Sequence, residues 1–365
     1  MERITPEIVE HLKEEGHTVY SFSRLETINQ CRYQAKLQYL DKVKSMDNVY
    51  SILGGKIHDV LEDIINNKAT KEDLLIALND ELEMLELLGL DFPKDSKGGN
   101  SIRESWIYDM KHFCNSYEKP DGKFETETFC LFKTPKEHYV QGYIDLIKHN
   151  DDDTIDIIDY KTSTIYSGKD IADHGRQLII YALGKQQEGF KVNRIGWNFL
   201  KYCSVEYYGK KTAKSKKEEL INKIVERRKI ADTLTPQVTY TMSTLGYDET
   251  DISLYIMQFK ETNNFSVLPP EVADRFKISQ AIVYYDLSEE NIKDCIKYVD
   301  KTIEKWEALT EYKHKDFEKY TKGGKKVEDT FFCNTLCGYR KYCEYLKEYN
   351  DKKEFDKIND EDLFG

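Results

Sequence analysis

Three runs rich in β-branched and aromatic residues, 123–132, 139–148 and 154–161, stand together in a chain whose other strong patterns are helical. The polar segment 149–153 between the second and third predicts a hairpin. A helical period over 170–187 and a further strand-like run, 192–202, follow. Strands interleaved with helices in this order bury their apolar faces only as a sheet covered by helices, so a mixed α/β core is expected. Before it, helices are predicted over 5–15, from Ser21-Phe22-Ser23 with Ser23 as N-cap, from Gly54-Gly55 to about residue 67, and over 71–88 and 101–117, with a loop at 93–100. After it, 216–231 and 289–309 are strongly helical. The pattern of 232–287 is ambiguous and supports no assignment.

The chain has 365 residues, with 54 Lys+Arg against 66 Asp+Glu and a formal charge of −12. That balance argues against indiscriminate coating of nucleic acid, but not against a carboxylate site that recruits cations. No apolar run approaches the ~20 residues of a membrane span, and the charged start lacks a signal-like apolar stretch. The sequence reads as a soluble cytosolic protein. Eight cysteines are too sparse for a disulfide scaffold, which leaves free thiols or metal ligands. Gly54-Gly55-Lys56 is followed by Ile57, so it is not a nucleotide-binding P-loop.

The chemistry concentrates in two adjoining strands, at Gly142-Tyr143-Ile144-Asp145 and Ile157-Ile158-Asp159-Tyr160-Lys161. Side chains alternate along a strand, so Asp159 and Lys161 share a face, and hairpin pairing lets Asp145 approach Asp159. Two carboxylates held together need a cation between them, and hard oxygen ligands suit Mg²⁺ or Mn²⁺. A neighbouring lysine can orient and help deprotonate an attacking water.

The pattern D-x(13)-D-x-K, preceded by an apolar run, resembles the PD-(D/E)XK nuclease superfamily. Gly54-Gly55-Lys56-Ile57-His58 is similar to the G-x-x-x-H element of its RecB-like branch, Gln177-Leu178-Ile179-Ile180-Tyr181 to Q-x-x-x-Y, and Ser23-Arg24-Leu25 with Cys31 to the S-x-L-x(n)-C opening. The resemblance implies a restriction-endonuclease-like fold and a metal-dependent DNA exonuclease that leaves 5′-phosphates in recombination, repair or end processing. His58, Asp145, Asp159 and the Tyr160 carbonyl would bind the metal, Lys161 would position water, and Gln177 and Tyr181 would steady the hairpin and the DNA. Glu62 and Glu127 are accessory candidates; for Glu62 a solvated helix face is the alternative.

Cys333-x(3)-Cys337-x(5)-Cys343 gathers three thiols near the C-terminus, and Cys31 is the natural fourth. Four thiolates suit iron–sulfur or zinc. The resemblance implies a 4Fe–4S cluster, as in AddB-type nuclease domains and CRISPR-associated iron–sulfur exonucleases, although their first gap is one residue shorter. Closing a loop of 302 residues costs an unfolded chain about 5 kcal/mol, so the cluster's role would be structural first. Cys114, Cys130, Cys203 and Cys295 are expected as buried apolar residues.

Lys210, Lys211, Lys214, Lys216 and Lys217 follow Tyr207-Tyr208 and suit a single strand's backbone and bases; a solvated loop is the alternative. The resemblance implies DNA, single-stranded or with free ends, as substrate, in a bacterial or phage-infected cell, the protein either working alone or fed by a separate helicase. Asp360-Glu361-Asp362-Leu363-Phe364-Gly365 resembles peptides that dock on replication proteins, against a frayed terminus as the default. One domain over 1–345 is expected, with a catalytic core at about 54–205, helical additions at 1–53 and 215–345, and a charged flexible tail at 346–365. The rivals are a non-catalytic DNA-binding scaffold of the same fold, and an endonuclease or RNA-directed enzyme.

Overall fold

The computed structural model describes residues 4–95, 97–209, 219–314, 318–322 and 325–362, with side chains omitted for 318–329 and from 355 onward. The first third runs α1 (Ile8–Glu14), β1 (Val19–Ser21), α2 (Phe22–Gln30), α3 (Arg32–Ala35), α4 (Val49–Ile65), α5 (Lys71–Leu87) and α6 (Ser101–Ser116). Then come β2 (Lys123–Lys133), β3 (Tyr139–His149), β4 (Thr154–Lys161), α7 (Lys169–Gln187), β5 (Lys191–Tyr208) and β6 (Leu220–Glu226). The last third is α8 (Ile230–Leu245), α9 (Glu249–Thr262), α10 (Pro270–Ala273), β7 (Lys277–Tyr285), α11 (Glu289–Glu307), β8 (Glu318–Lys322), β9 (Lys325–Asp329) and α12 (Glu344–Asp362).

Seven strands form one mixed sheet. β3 is antiparallel to β2 along one edge; its other edge pairs in parallel with β1 at 139–141 and antiparallel with β4 at 146–149. β4 runs parallel to β5, and the long β5 carries β6 and β7 antiparallel on its opposite edges. Helices flank both faces. Alternation along β4 sends Ile155 and Ile157 into a core with Leu178, Ile179 and Val299 of α7 and α11, and Ile158 and Tyr160 into a second core with Leu53, Ile57, Met110 and Phe113 of α4 and α6. The far end of β5 closes a third core with α8 and α9 around Leu234, Val238 and Phe259. The mixed α/β core is as expected.

Several boundaries differ. α2 is capped by Ser21, whose hydroxyl accepts from the Arg24 N–H, rather than by Ser23. α4 starts at Val49, not at the glycines: Asn48 and Ser51 form a reciprocal capping box. Gly54 is internal because a Cβ there would lie 3.3 Å from Thr162 Oγ1, where α4 passes close to the end of β4. The helix expected over 216–231 is a strand from Leu220 to Glu226. Leu220, Ile221, Ile224 and Val225 satisfy a helical period, but β-branched residues facing the open edge of β5 pair there instead. The additions at 215–345 are therefore not purely helical, since β6 and β7 complete the sheet. Residues 344–362, expected as a tail beyond 345, run as a helix.

α7 presses on β2 where Gly184 meets Cys130: a Cβ at 184 would collide with Cys130 Sγ and crowd the Leu131 carbonyl at 3.1 Å. Overpacking of this kind costs about 1–3 kcal/mol. Gly184→Ala is expected to lower the thermal midpoint by that cost, and Cys130→Ala in the same chain to restore part of it, as read by calorimetric melting of the four members of the cycle.

Candidate active site

The β3–β4 ladder opens just before the acidic residues. Regular pairing stops at Leu146 with Ile158, and the next N–H along β4, that of Tyr160, donates 2.7 Å to Asp145 Oδ2. A side chain thus replaces a backbone acceptor, which places the Asp145 carboxylate in the seam between the strands. Asp159, on the α7 face, is almost fully buried, with its side chain 3% exposed. Its Oδ2 has no hydrogen-bond partner, but Lys161 Nζ stands 2.6 Å away as an ion pair. Burial, and after it the neighbouring Asp159, holds the Asp145 carboxyl well above the usual carboxylate range. Burial is the largest single effect and opposes the Lys161 charge, but Asp159, Tyr166 and Asp145 together hold the ammonium above the usual lysine range.

His58 reaches the same point from α4. Its Nδ1 is 3.6 Å from Asp145 Oδ2, and its ring meets Tyr160 edge-on at 5.8 Å. Burial pulls its pKa below the usual histidine value, which leaves a neutral imidazole with a lone pair to offer at neutral pH. From α7, Gln177 accepts from Lys161 Nζ at 3.3 Å and donates to Tyr181 Oη at 2.9 Å. The Tyr181 ring lies over Gly142, where any Cβ would come within 2.7 Å of it. The structure therefore brings His58, Asp145, Asp159, Lys161, Gln177 and Tyr181 into one connected set.

A family model described as the PD-(D/E)XK nuclease superfamily matches residues 19–344. The chain belongs to that superfamily. Its mixed seven-stranded sheet with flanking helices is consistent with the restriction-endonuclease-like fold. No curated protein matches the chain.

Beside the shared set, this nuclease-superfamily chain carries three more acids. Glu127 on β2 falls between the pairs Thr126–Leu146 and Thr128–Ile144, opposite Asp145, with φ of +43°. A left-handed glutamate within a strand is strained by about 1–3 kcal/mol. Burial, then Glu62 and Asp59, raises its pKa, and Glu62 lines the same outer groove as Glu127. Glu26 of α2 carries no motif and was not legible in the sequence. It sits 3.5 Å from His174 Nδ1, and the His174 ring stacks on Tyr166 at 4.0 Å.

Among the described residues, no three His, Cys, Asp or Glu side chains are gathered closely enough to hold a metal ion as they stand, and no helix is long and apolar enough to cross a membrane. The donor chemistry at the β3–β4 seam nonetheless fits a hard divalent cation, with two buried carboxylates sharing a single lysine ammonium and a neutral imidazole beside them.

The cysteine residues meet at the opposite end of α2. Cys31, Cys333, Cys337 and Cys343 are buried, line one small cavity and form no disulfide. Burial raises the Cys337 and Cys343 thiols, and each feels Cys31. The two chain ends dock there through Met46 N–H to the Gly338 carbonyl at 2.8 Å, with Gly338 packed where a Cβ would strike Ser45 and Met46. A set of four buried thiols suits a soft metal centre. By contrast, burial pushes Cys114, Cys130 and Cys295 up to about 12 and Cys203 up to about 11, the environment of inert core thiols. Lys210, Lys211, Lys214, Lys216 and Lys217 lie outside the described residues.

The Glu26 carboxyl is raised to about 7, by burial first, with the Lys161 ammonium opposing and Asp173 and Asp159 adding. Its folded-state value exceeds the ordinary 4.5, so ionising it costs stability. That penalty is absent below about pH 4.5, grows as pH rises to about 7 and is constant above. Glu26→Gln is therefore expected to melt like the wild type near pH 4 and progressively higher between those limits in metal-free buffer; a melting difference independent of pH would contradict this.

Proposed function

We propose that the protein is a Mg²⁺- or Mn²⁺-dependent DNA exonuclease of the RecB-like type, hydrolysing phosphodiesters to leave 5′-phosphates during recombination, repair or end processing. The observation that carries the reading is the meeting, at one break in one sheet, of two buried carboxylates, a neutral imidazole and a lysine ammonium. Asp145, Asp159 and His58, with the Tyr160 carbonyl, would hold the divalent ion, which when bound supplies Lewis-acid stabilisation of a phosphate anion.

The remaining work falls to this chain's own groups. Lys161 keeps its proton because Asp159 faces it, so it acts as a cation that orients a water and steadies negative charge on the phosphate rather than as a free base. Gln177 fixes the ammonium through its amide oxygen and is itself fixed by Tyr181, a relay that leaves Lys161 little rotational freedom. His58 stays neutral through burial and so keeps a lone pair for the ion.

The cysteine set is read as holding a 4Fe–4S cluster, with zinc as the alternative. The support is four buried thiols on one cavity, contributed by both ends of the matched region. Its role would be to pin residues 31 and 333–343 together. A separate motor protein would supply DNA ends.

Linear labelled DNA is expected to be degraded with Mg²⁺ or Mn²⁺ and not with chelator, and Lys161→Ala to lower the rate roughly 10²–10³-fold. Covalently closed single-stranded circles should survive; their cutting at comparable rates would make the enzyme an endonuclease. Wild-type inactivity under both metals would favour a binding scaffold. Anaerobically purified protein is expected to be brown, with about four irons per chain, and Cys337→Ala to lose both colour and thermal stability. A colourless protein containing zinc would replace the cluster.

A further inference from the structure

Beside the carboxylate site, where β4 gives way to the loop leading to α7, a cleft of about 510 Å³ opens between that loop, α6 and β5. Its rim is hydroxylic: Thr162, Ser163 and Thr164 follow directly on Lys161, and Ser101 and Ser105 face them from α6. Lys201 enters from β5 at a gap in the sheet. Pairing with β4 ends at Phe199, pairing with β6 begins at Tyr202, and the β7 register breaks between Asn198 and Cys203.

The other cation of the cleft, Arg228, is committed to Asp109 and Glu226. Lys201 has no hydrogen bond or ion pair to any described residue. Burial pulls its pKa below the usual lysine value, with Asp109 and Glu226, which Arg228 already holds, opposing only in part. Tyr50 lines the same cleft with its ring partly exposed, braced edge-on by Phe92 at 5.4 Å.

The cleft adjoins the site. Tyr50, Gly54 and His58 lie at successive four-residue steps along one stripe of α4, and Gly54 is the point where that helix meets Thr162. The opposite flank has the reverse character: a groove of about 470 Å³ lined by Glu62, Glu125 and Glu127, which repels phosphate.

Resting on the nuclease reading above, we propose that the Thr162–Thr164 cleft is the track of the substrate strand, with Lys201 on a backbone phosphate, the hydroxyls on its neighbours and Tyr50 stacked on a base. The occupant is single-stranded DNA, since an unpaired cation combined with an aromatic face is single-strand chemistry. The assignment supplies a nucleic-acid surface to an acidic chain without recourse to the lysine run at 210–217.

The test is fluorescence anisotropy of the full-length protein with a 5′-labelled oligothymidylate in chelator, where nothing is cut. Lys201→Ala is expected to weaken binding about fivefold or more and to flatten the dependence of log affinity on log salt by about 0.7, with Lys201→Arg recovering most of both. Tyr50→Ala should weaken binding about fivefold or more and leave the salt slope alone. The exposed Lys13→Ala is the control, and matched melting curves accompany each variant. If wild type binds and degrades linear DNA while Lys201→Ala and Tyr50→Ala bind as it does, the cleft assignment falls and the nuclease reading stands. Equal losses with a blunt duplex overturn the single-strand assignment. A wild type that neither binds nor degrades DNA removes both.

Discussion

Two carboxylates enclosed in a folded core are costly unless each finds a countercharge, and this requirement organises the middle of the molecule. Asp159 is too deep for water and takes Lys161 from its own strand, two residues on. Asp145 has no such partner; it takes a backbone N–H from Tyr160, and regular pairing of β3 with β4 ends there. The remaining anionic charge is what a bound cation would answer. Each feature around it follows: Lys161 needs Gln177 to hold it still, Gln177 needs Tyr181, and Tyr181 needs the missing side chain at Gly142 to come near. The left-handed Glu127 across from Asp145 is the same demand expressed on the third strand. A simple apolar core would have closed this seam, so its openness is a cost the fold bears for chemistry.

The ends of the chain answer a different problem. α2 and the segment around Cys333–Cys343 are separated by most of the sequence, yet they share one cavity, and the contact between Met46 and Gly338 leaves no room for a side chain. α2 packs on β3 and α11, and Glu26 on that helix feels Lys161 and Asp159. The helix whose Glu26 feels Lys161 and Asp159 therefore ends at Cys31. α2 is thus one element that carries both a cysteine of the thiol cavity and an acid that feels Lys161.

What the sequence disclosed, and what it withheld, follows from the range of the forces involved. The strands at 123–161 are legible because alternation and a polar turn are local, and the hairpin they predict puts Asp145 and Asp159 on adjoining strands. The start of α4 was misread because two glycines look like an entry to a helix, whereas Asn48 and Ser51 are the entry and Gly54 answers a neighbour more than 100 residues away. β6 was misread because Leu220, Ile221, Ile224 and Val225 fit both periods, and only the vacant edge of β5 decides between them. Glu26, Tyr50 and Lys201 carry no motif at all; their significance is wholly one of position.

The acidity of the chain becomes intelligible once charge is sorted by place. With a net charge of −12, a uniform distribution would push a polyanion away from every face. Around the catalytic seam the distribution is lopsided instead: Glu62, Glu125 and Glu127 crowd one groove, and Lys201 with a row of hydroxyls lines the other. On the proposed track, a strand approaching from the acidic side would meet repulsion, and one approaching past Lys201 would meet a half-buried cation. The field that opposes general coating of nucleic acid would thereby favour a single approach, and on the proposed track a backbone threaded along Thr162 to Thr164 would arrive beside Lys161, because those residues are its immediate continuation in the chain.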